Sequence, residues 1–207
     1  MSFGYQILGF GSFPSRGAGI DATGGTITTS GDYTIHSFTS SGTFTINSNP
    51  SNSNVEYLIV AGGGGGAGGM LTGTISEPSA AAYSLVVGAG GAGQTDAAPS
   101  GANGANSTGF SLTAIGGGKG SQRNGFDGAD GGSGGGAAYA KSPGSGTSGQ
   151  GNDGGDDGQS TGGDAGGGGG GKGAVGADGI DEDGGAGGVG EASSITGSSV
   201  FYAGGGG

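Results

Sequence analysis

Apolar and polar positions alternate along the first third of the chain and then give way to glycine. Residues 26–29 (Thr-Ile-Thr-Thr) make a short alternating stretch closed by Ser30, Gly31 and Asp32. Residues 33–38 alternate next, with Tyr33 and Ile35 on one face and His36 and Phe38 on the other. This period of two predicts half-buried strands. Ser40, Ser41 and Gly42 form a turn signal, so residues 43–46 are predicted to return as the hairpin partner of 33–38. A polar loop, 47–54, carries Pro50. Residues 55–60 are then nearly all apolar, the pattern of a strand buried on both faces and therefore central in its sheet. Two more strands are predicted at 71–75 and 83–87, joined through Glu77, Pro78 and Ser79. Shorter ones lie at 110–115 and 199–202.

Composition changes the picture. Glycine runs stand at 62–66, 88–93, 116–118 and 204–207, and the chain holds 63 Gly in 207 residues. An ordinary domain has about 7% Gly. Such a composition is also that of a disordered, low-complexity chain. Here, though, the runs are segregated between well-formed strands. Ordering each residue costs on the order of 1–2 kcal/mol, with glycine at the expensive end. Glycine buries no side chain, so backbone hydrogen bonds, about 0.5–1.5 kcal/mol net each, must offset that cost. Nearly every N–H and C=O then needs a partner. The geometry that permits this is the extended three-fold helix, here of glycine, packed sideways against its neighbours.

A register of three supports that reading. It runs from Gly146 through Gly149, Gly155, Gly158, Gly167, Gly170, Gly173, Gly176, Gly179 and Gly185 to Gly188. It breaks at Asn152, Thr161, Asp164 and Glu182, which are expected to mark the ends of runs. Collagen, the competing period-three structure, needs an unbroken repeat and abundant Pro, and only 5 Pro are present. The expected fold is all-β, with essentially no α-helix. A small β-sandwich-like module at 23–60 would be followed by a lattice of polyglycine II helices with interspersed strands at 61–207. Ahead of both, 1–22 forms an aromatic leader with Phe3, Tyr5, Ile7, Leu8, Phe10 and Phe13. Those six residues are the candidate docking contacts to a larger assembly. The alternative is that the leader folds back on its own domain.

Charge narrows the partners. The formal net charge is −11, and residues 151–207 hold nine acids (Asp153, Asp156, Asp157, Asp164, Asp178, Asp181, Glu182, Asp183 and Glu191) against one base, Lys172. Nucleic acid is therefore not an expected partner. No Cys is present, so disulfides and thiolate metal sites are excluded. No signal peptide and no membrane-inserting segment is predicted.

Two glycine motifs imitate nucleotide sites. Gly63, Gly65 and Gly68 come after a strand with dinucleotide-site spacing, yet strand-like residues stand where that site needs a helix. The run 166–171 ends at Lys172, but Gly173 stands where a phosphate loop needs Ser or Thr. Neither predicts a cofactor. The acids around Asp153–Asp157 and Asp178–Asp183 suit solvated turns better than calcium sites, since the regular calcium-repeat period is missing. His36 is the single histidine and sits in a predicted strand, and the serines lack a base, so no catalytic residues are predicted and the protein is not expected to be an enzyme.

Two segments stand out from the glycine background. One holds Arg123, Asn124 and Phe126, the other Tyr139 and Lys141. Each joins an aromatic ring to a base and to amides or hydroxyls. These five are the candidate receptor-binding residues, in loops such as 121–130 and 138–147. The plainer reading is that Phe126 and Tyr139 plug the ends of glycine runs.

Residues 33–46 (YTIHSFTSSGTFTI), 55–69 (VEYLIVAGGGGGAGG), 83–93 (YSLVVGAGGAG), 111–118 (SLTAIGGG) and 194–207 (SITGSSVFYAGGGG) resemble, in this order, the glycine-rich domain of bacteriophage tail-fibre and other virion proteins. The likeness spans about 32–207 and is more distant to the glycine-rich adhesins of T-even-type phages. It implies a virion appendage protein whose loops meet a host cell-surface glycan or outer-membrane protein. Other virion proteins would be partners, and a homo-oligomer, such as a trimer, would form on the appendage. Two other readings are a capsid or tail decoration anchored by the leader, without receptor binding, and an ice-binding protein, which the broken period disfavours.

Overall fold

The computed structural model describes residues 19–93, 101–122, 125–158 and 165–207. The leader residues Phe3, Tyr5, Ile7, Leu8, Phe10 and Phe13 lie outside these, as do Arg123 and Asn124. The described residues are all-β, with several small antiparallel sheets and no helix.

β1 (Asp21–Thr23), β4 (Gly42–Ser48) and β7 (Ala81–Leu85) form a three-stranded sheet in the order β1-β4-β7. β2 (Thr26–Ser30) and β3 (Tyr33–Ser37) make a separate hairpin across Gly31 and Asp32. β5 (Val55–Val60) and β6 (Met70–Ile75) make another. Residues 61–69 connect β5 to β6, and Ala61 N–H donates to Gly69 C=O at 2.9 Å where this connection closes. Three expected pairings are thereby corrected. Residues 43–46 do return, but β4 pairs with β7 and β1 rather than with β3. Likewise β6 pairs with β5, and not with 83–87. β5 is buried on both faces, yet it is bonded to β6 alone and is not central.

The cause of the first correction lies in Phe38. Its ring leaves the β3 end and packs edge-on to Phe44, with centroids 6.5 Å apart. Phe38 also sits under Gly25 and Gly42, and residues 39–41 carry the chain from the β2–β3 hairpin to the three-stranded sheet instead of folding back on β3. Phe38, Phe44, Ile46, Val55, Ile59 and Leu85 form the main core. The opposite face of β5–β6 buries Leu58, Val60 and Met70 under Tyr202. Tyr202 belongs to β11 (Val200–Tyr202), which pairs with β10 (Glu191–Ser193). β8 (Ser107–Gly109) and β9 (Leu112–Ala114) complete the strands.

Beyond the strands the chain runs out and back. The outward runs are 114–121, 133–138, 151–158, 174–180 and 203–207, and the returning runs are 101–106, 127–132, 142–146, 165–172 and 183–190. Neighbours that run in opposite directions bond antiparallel, as where Gly167 and Gly170 donate to Ala137 and Gly134 (2.8 and 2.9 Å). Neighbours that share a direction bond parallel, as where Gly185 and Gly188 donate to Gly166 and Gly169 (2.8 and 2.9 Å). In each pair the donors lie three residues apart and meet the same neighbour. Gly169 and Lys172 repeat the pattern toward Gly206 and Ala203.

Run 165–172 occupies the middle. Besides those three neighbours it bonds to Ala177, Gly155 and Ala67, so six other runs surround it. A Cβ on any of Gly167 to Gly171 would fall on a carbonyl of an adjacent run, which is why every one is glycine. On the outer runs, burial recurs every third residue instead. Gly176, Gly179, Gly185 and Gly188 are buried between exposed residues, in the register read from the sequence. Glu182 lies in the turn expected of a register break. Asn152 does not. It continues its run, and its amide donates to Gly171 and Lys172 carbonyls, both at 2.9 Å. Gly149 is a further exception within the register. It has φ +77° and no neighbour near a Cβ, so it serves a turn rather than packing.

Candidate functional site

The turns fall at two poles. At the pole near the strands, Gln150 ties its turn down: its main chain accepts from Met70 (3.0 Å), and its side chain accepts from Ile115 N–H (2.8 Å) and donates to Thr113 C=O (3.1 Å). The far pole gathers a first turn, of which Gln122, Gly125 and Phe126 are described and which Gly125 N–H closes on Gln122 C=O at 3.1 Å, with the turns 138–142 and 180–183. Ser121 N–H donates to Gly136 C=O at 3.0 Å, which sets the first turn beside the second. Ser142 N–H donates to Asp127 Oδ1 at 3.1 Å, Ala140 N–H to Asp157 Oδ2, and Asp156 N–H to Asp178 Oδ1 at 2.8 Å. A row of aspartates thus stitches each turn to the next.

Three of the five sequence-predicted site residues are described, and all three belong to this pole. Phe126 is 64% exposed, and Lys119 Nζ lies 4.9 Å from its ring centroid, within cation–π range. Tyr139 is 37% exposed, and Lys141 is half-buried one residue before Ser142. Sequence reasoning missed Ile180, which is 69% exposed at the 180–183 turn. Its signal was present: a lone large aliphatic between Asp178 and Asp181.

Backbone geometry marks the same turns. Tyr139 and Ala140 have φ of 56° and 58°, and Asp181 has φ 54°. Two successive positive φ values suit Asn-Gly, not Tyr-Ala, and each non-glycine costs on the order of 1 kcal/mol or more there. A second such turn, Phe110 and Ser111 (φ 52° and 62°), has an evident compensation. Phe110 stacks on Tyr83 at 4.3 Å and meets Phe44 edge-on at 6.1 Å. Tyr139 is 37% exposed.

The acidic residues have mostly structural work. Besides those at the far pole, Asp130 accepts from Ser145 N–H and Asp153 from Gly146 N–H, both at 2.7 Å. Asn103 and Asn106 do the same for Lys119 (3.0 Å) and Gly116 (2.9 Å). Each satisfies a backbone donor that no adjacent run reaches. Among the described residues, no group of three or more His, Asp or Glu side chains could hold a metal ion. The nucleotide-like motifs are accounted for structurally. Gly63, Gly65 and Gly68 lie in the β5–β6 connection, and Lys172 Nζ donates to Gly149 C=O at 3.0 Å and lies 3.7 Å from the Glu191 carboxylate. His36 is buried, with Nδ1 2.8 Å from Gly24 C=O and its ring edge-on to Phe44 at 5.0 Å.

Fold and site together define an all-β, glycine-rich protein in which side chains fasten main-chain runs and a set of turns is displayed at one pole. Residues 39–207 match the family described as "Glycine-rich domain", and the chain belongs to it. No curated protein and no solved structure matches the chain significantly.

Proposed function

We propose that this protein is a non-enzymatic phage adhesin, carried on a virion appendage, whose far-pole turns recognise a receptor on the host cell surface. The observation that carries the reading is the grouping of exposed Phe126, Tyr139 and Ile180 on adjacent turns with unfavourable backbone angles at 139, 140 and 181. Strained backbone that coincides with exposed large side chains fits side chains held out for a ligand. Exposed aromatic anchors on a rigid support are the usual material of a recognition site.

The support itself we take to be a lattice of polyglycine II helices beside a sandwich-like β module. Bonding to one neighbour at every third residue, and six neighbours around run 165–172, favour three-fold helices in hexagonal contact. The sharing of one core by β4, β5 and β7 favours two facing layers for the module. The domain division at residues 22 and 60, the docking of the leader to other virion proteins, and a trimeric assembly belong to the same proposal.

Fluorescently labelled protein, incubated with intact cells of a panel of bacteria, tests the adhesin reading. Saturable binding to some strains is expected, with loss in the triple variant Phe126→Ala, Tyr139→Ala, Ile180→Ser at unchanged melting temperature. Binding that survives in the variant overturns the assignment to this pole. An absence of binding to the cells that the parent phage infects favours a structural decoration instead.

A further inference from the structure

A second concavity lies away from the far pole, between the β2–β3 hairpin, the β5–β6 pair and the segment after β10. Its volume is about 680 Å³, within the range of small-molecule sites. Gly197 closes one side against the hairpin. It has φ +94°, and a Cβ there would stand 2.9 Å from Ser30 Oγ. The lining is unusual in what its side chains leave undone. Among the described residues, the hydroxyls of Ser30, Thr72, Thr74 and Ser194 and the carboxylate of Glu56 make no side-chain hydrogen bond. Tyr33 and Ile195 lie half-buried beside them and supply apolar surface, with Ile35 buried beneath.

We infer that this groove binds one unit of a neutral saccharide. A sugar presents hydroxyls that both donate and accept, together with an apolar C–H face. Four hydroxyls of the same dual character and one carboxylate acceptor match the first, and Tyr33 with Ile195 matches the second. An anionic ligand is disfavoured, because no Lys or Arg is among the lining residues. A cationic ligand would use Glu56 but leave the hydroxyl ring without a purpose. The groove is open, so the unit can be part of a longer glycan. This site shares no residue with the far-pole turns and does not rest on the adhesin reading.

Titration of the full chain with methyl α-glucoside, methyl α-galactoside and N-acetylglucosamine, followed by NMR shift changes, tests it. At least one sugar is expected to give saturable shifts at millimolar concentration, centred on Glu56, Thr72 and Ser194. Affinity should fall by about tenfold or more in Glu56→Gln, which removes the charge and exchanges one acceptor oxygen for a donor, and in Thr72→Val, which removes a hydroxyl facing the ligand. Phe126→Ala should leave it unchanged, which separates this groove from the far pole. Melting temperatures of both groove variants are expected to match the parent, because the two side chains make no side-chain hydrogen bond in the protein. Absence of saturable shifts with all three sugars, equal affinity in the groove variants, or preferential binding of choline would each overturn the proposal.

Discussion

The packed strands and the glycine runs solve the same problem with opposite materials. Between the strands, Phe44, Ile46, Val55, Ile59 and Leu85 remove apolar surface from water, and the backbone follows. Around run 165–172 there is almost no side chain to bury, and the main chain is its own interior. The contrast teaches where each region is vulnerable. A side-chain core tolerates a lost methyl group at a graded cost. A main-chain interior has no soft neighbour to move, because a new side chain would strike a carbonyl already bonded elsewhere.

The sharpest way to break the comparison is to add bulk at the centre of the runs. Gly170→Val would press on the Asn152 carbonyl. It is expected to cost about 4 kcal/mol or more, seen as loss of the cooperative melt. Gly63→Ala, whose Cβ would find its nearest atom at 3.7 Å, is the control and should change stability by no more than about 0.5 kcal/mol. Equal effects of the two would remove the claim that close main-chain approach is what selects glycine. Next in size, Phe44→Ala should cost about 3–5 kcal/mol by denaturant unfolding, while amide exchange within run 165–172 stays slow relative to β4. A smaller effect is expected from Asp130→Ala, which frees the Ser145 N–H. About 1 kcal/mol should be lost, with faster exchange at Ser145 as the local readout. Similar in size, and opposite in sign, is Ser133→Ala. Ser133 Oγ is buried without a hydrogen-bond partner among the described residues. Its removal should stabilise the protein by about 1 kcal/mol, and a lower melting temperature would contradict this.

Local order was legible in the sequence wherever it arises from local pattern. Alternation located β2 and β3, the apolar run located β5, and the spacing of Gly176, Gly179, Gly185 and Gly188 gave the buried register of the outer runs. Partnership was not legible. Nothing near residues 43–46 says that they pair with Ala81–Leu85, because that choice depends on Phe38 meeting Phe44 between the hairpin and the three-stranded sheet. The central run hides its own period for a related reason. With neighbours on all sides, every position demands glycine, so no contrast remains to be read. At the far pole, Phe126 and Tyr139 stood out as aromatics among glycines. Ile180 escaped notice because one aliphatic residue carries little signal until its exposure is known. The acidic residues read as solvated turn positions, whereas several are acceptors for stranded N–H groups, a role that depends on which run lies alongside.

The aspartates that stitch the far-pole turns have one more consequence. Each accepts from a main-chain N–H, that of Ala140 within a turn included, so this fastening does not depend on which side chains stand at the tips of the turns. Tip sequences are therefore free to diverge, lengthen or be exchanged between related chains without dismantling what lies beneath them. Selection acting on those few positions can rewrite the surface while the bulk of the molecule stays constant.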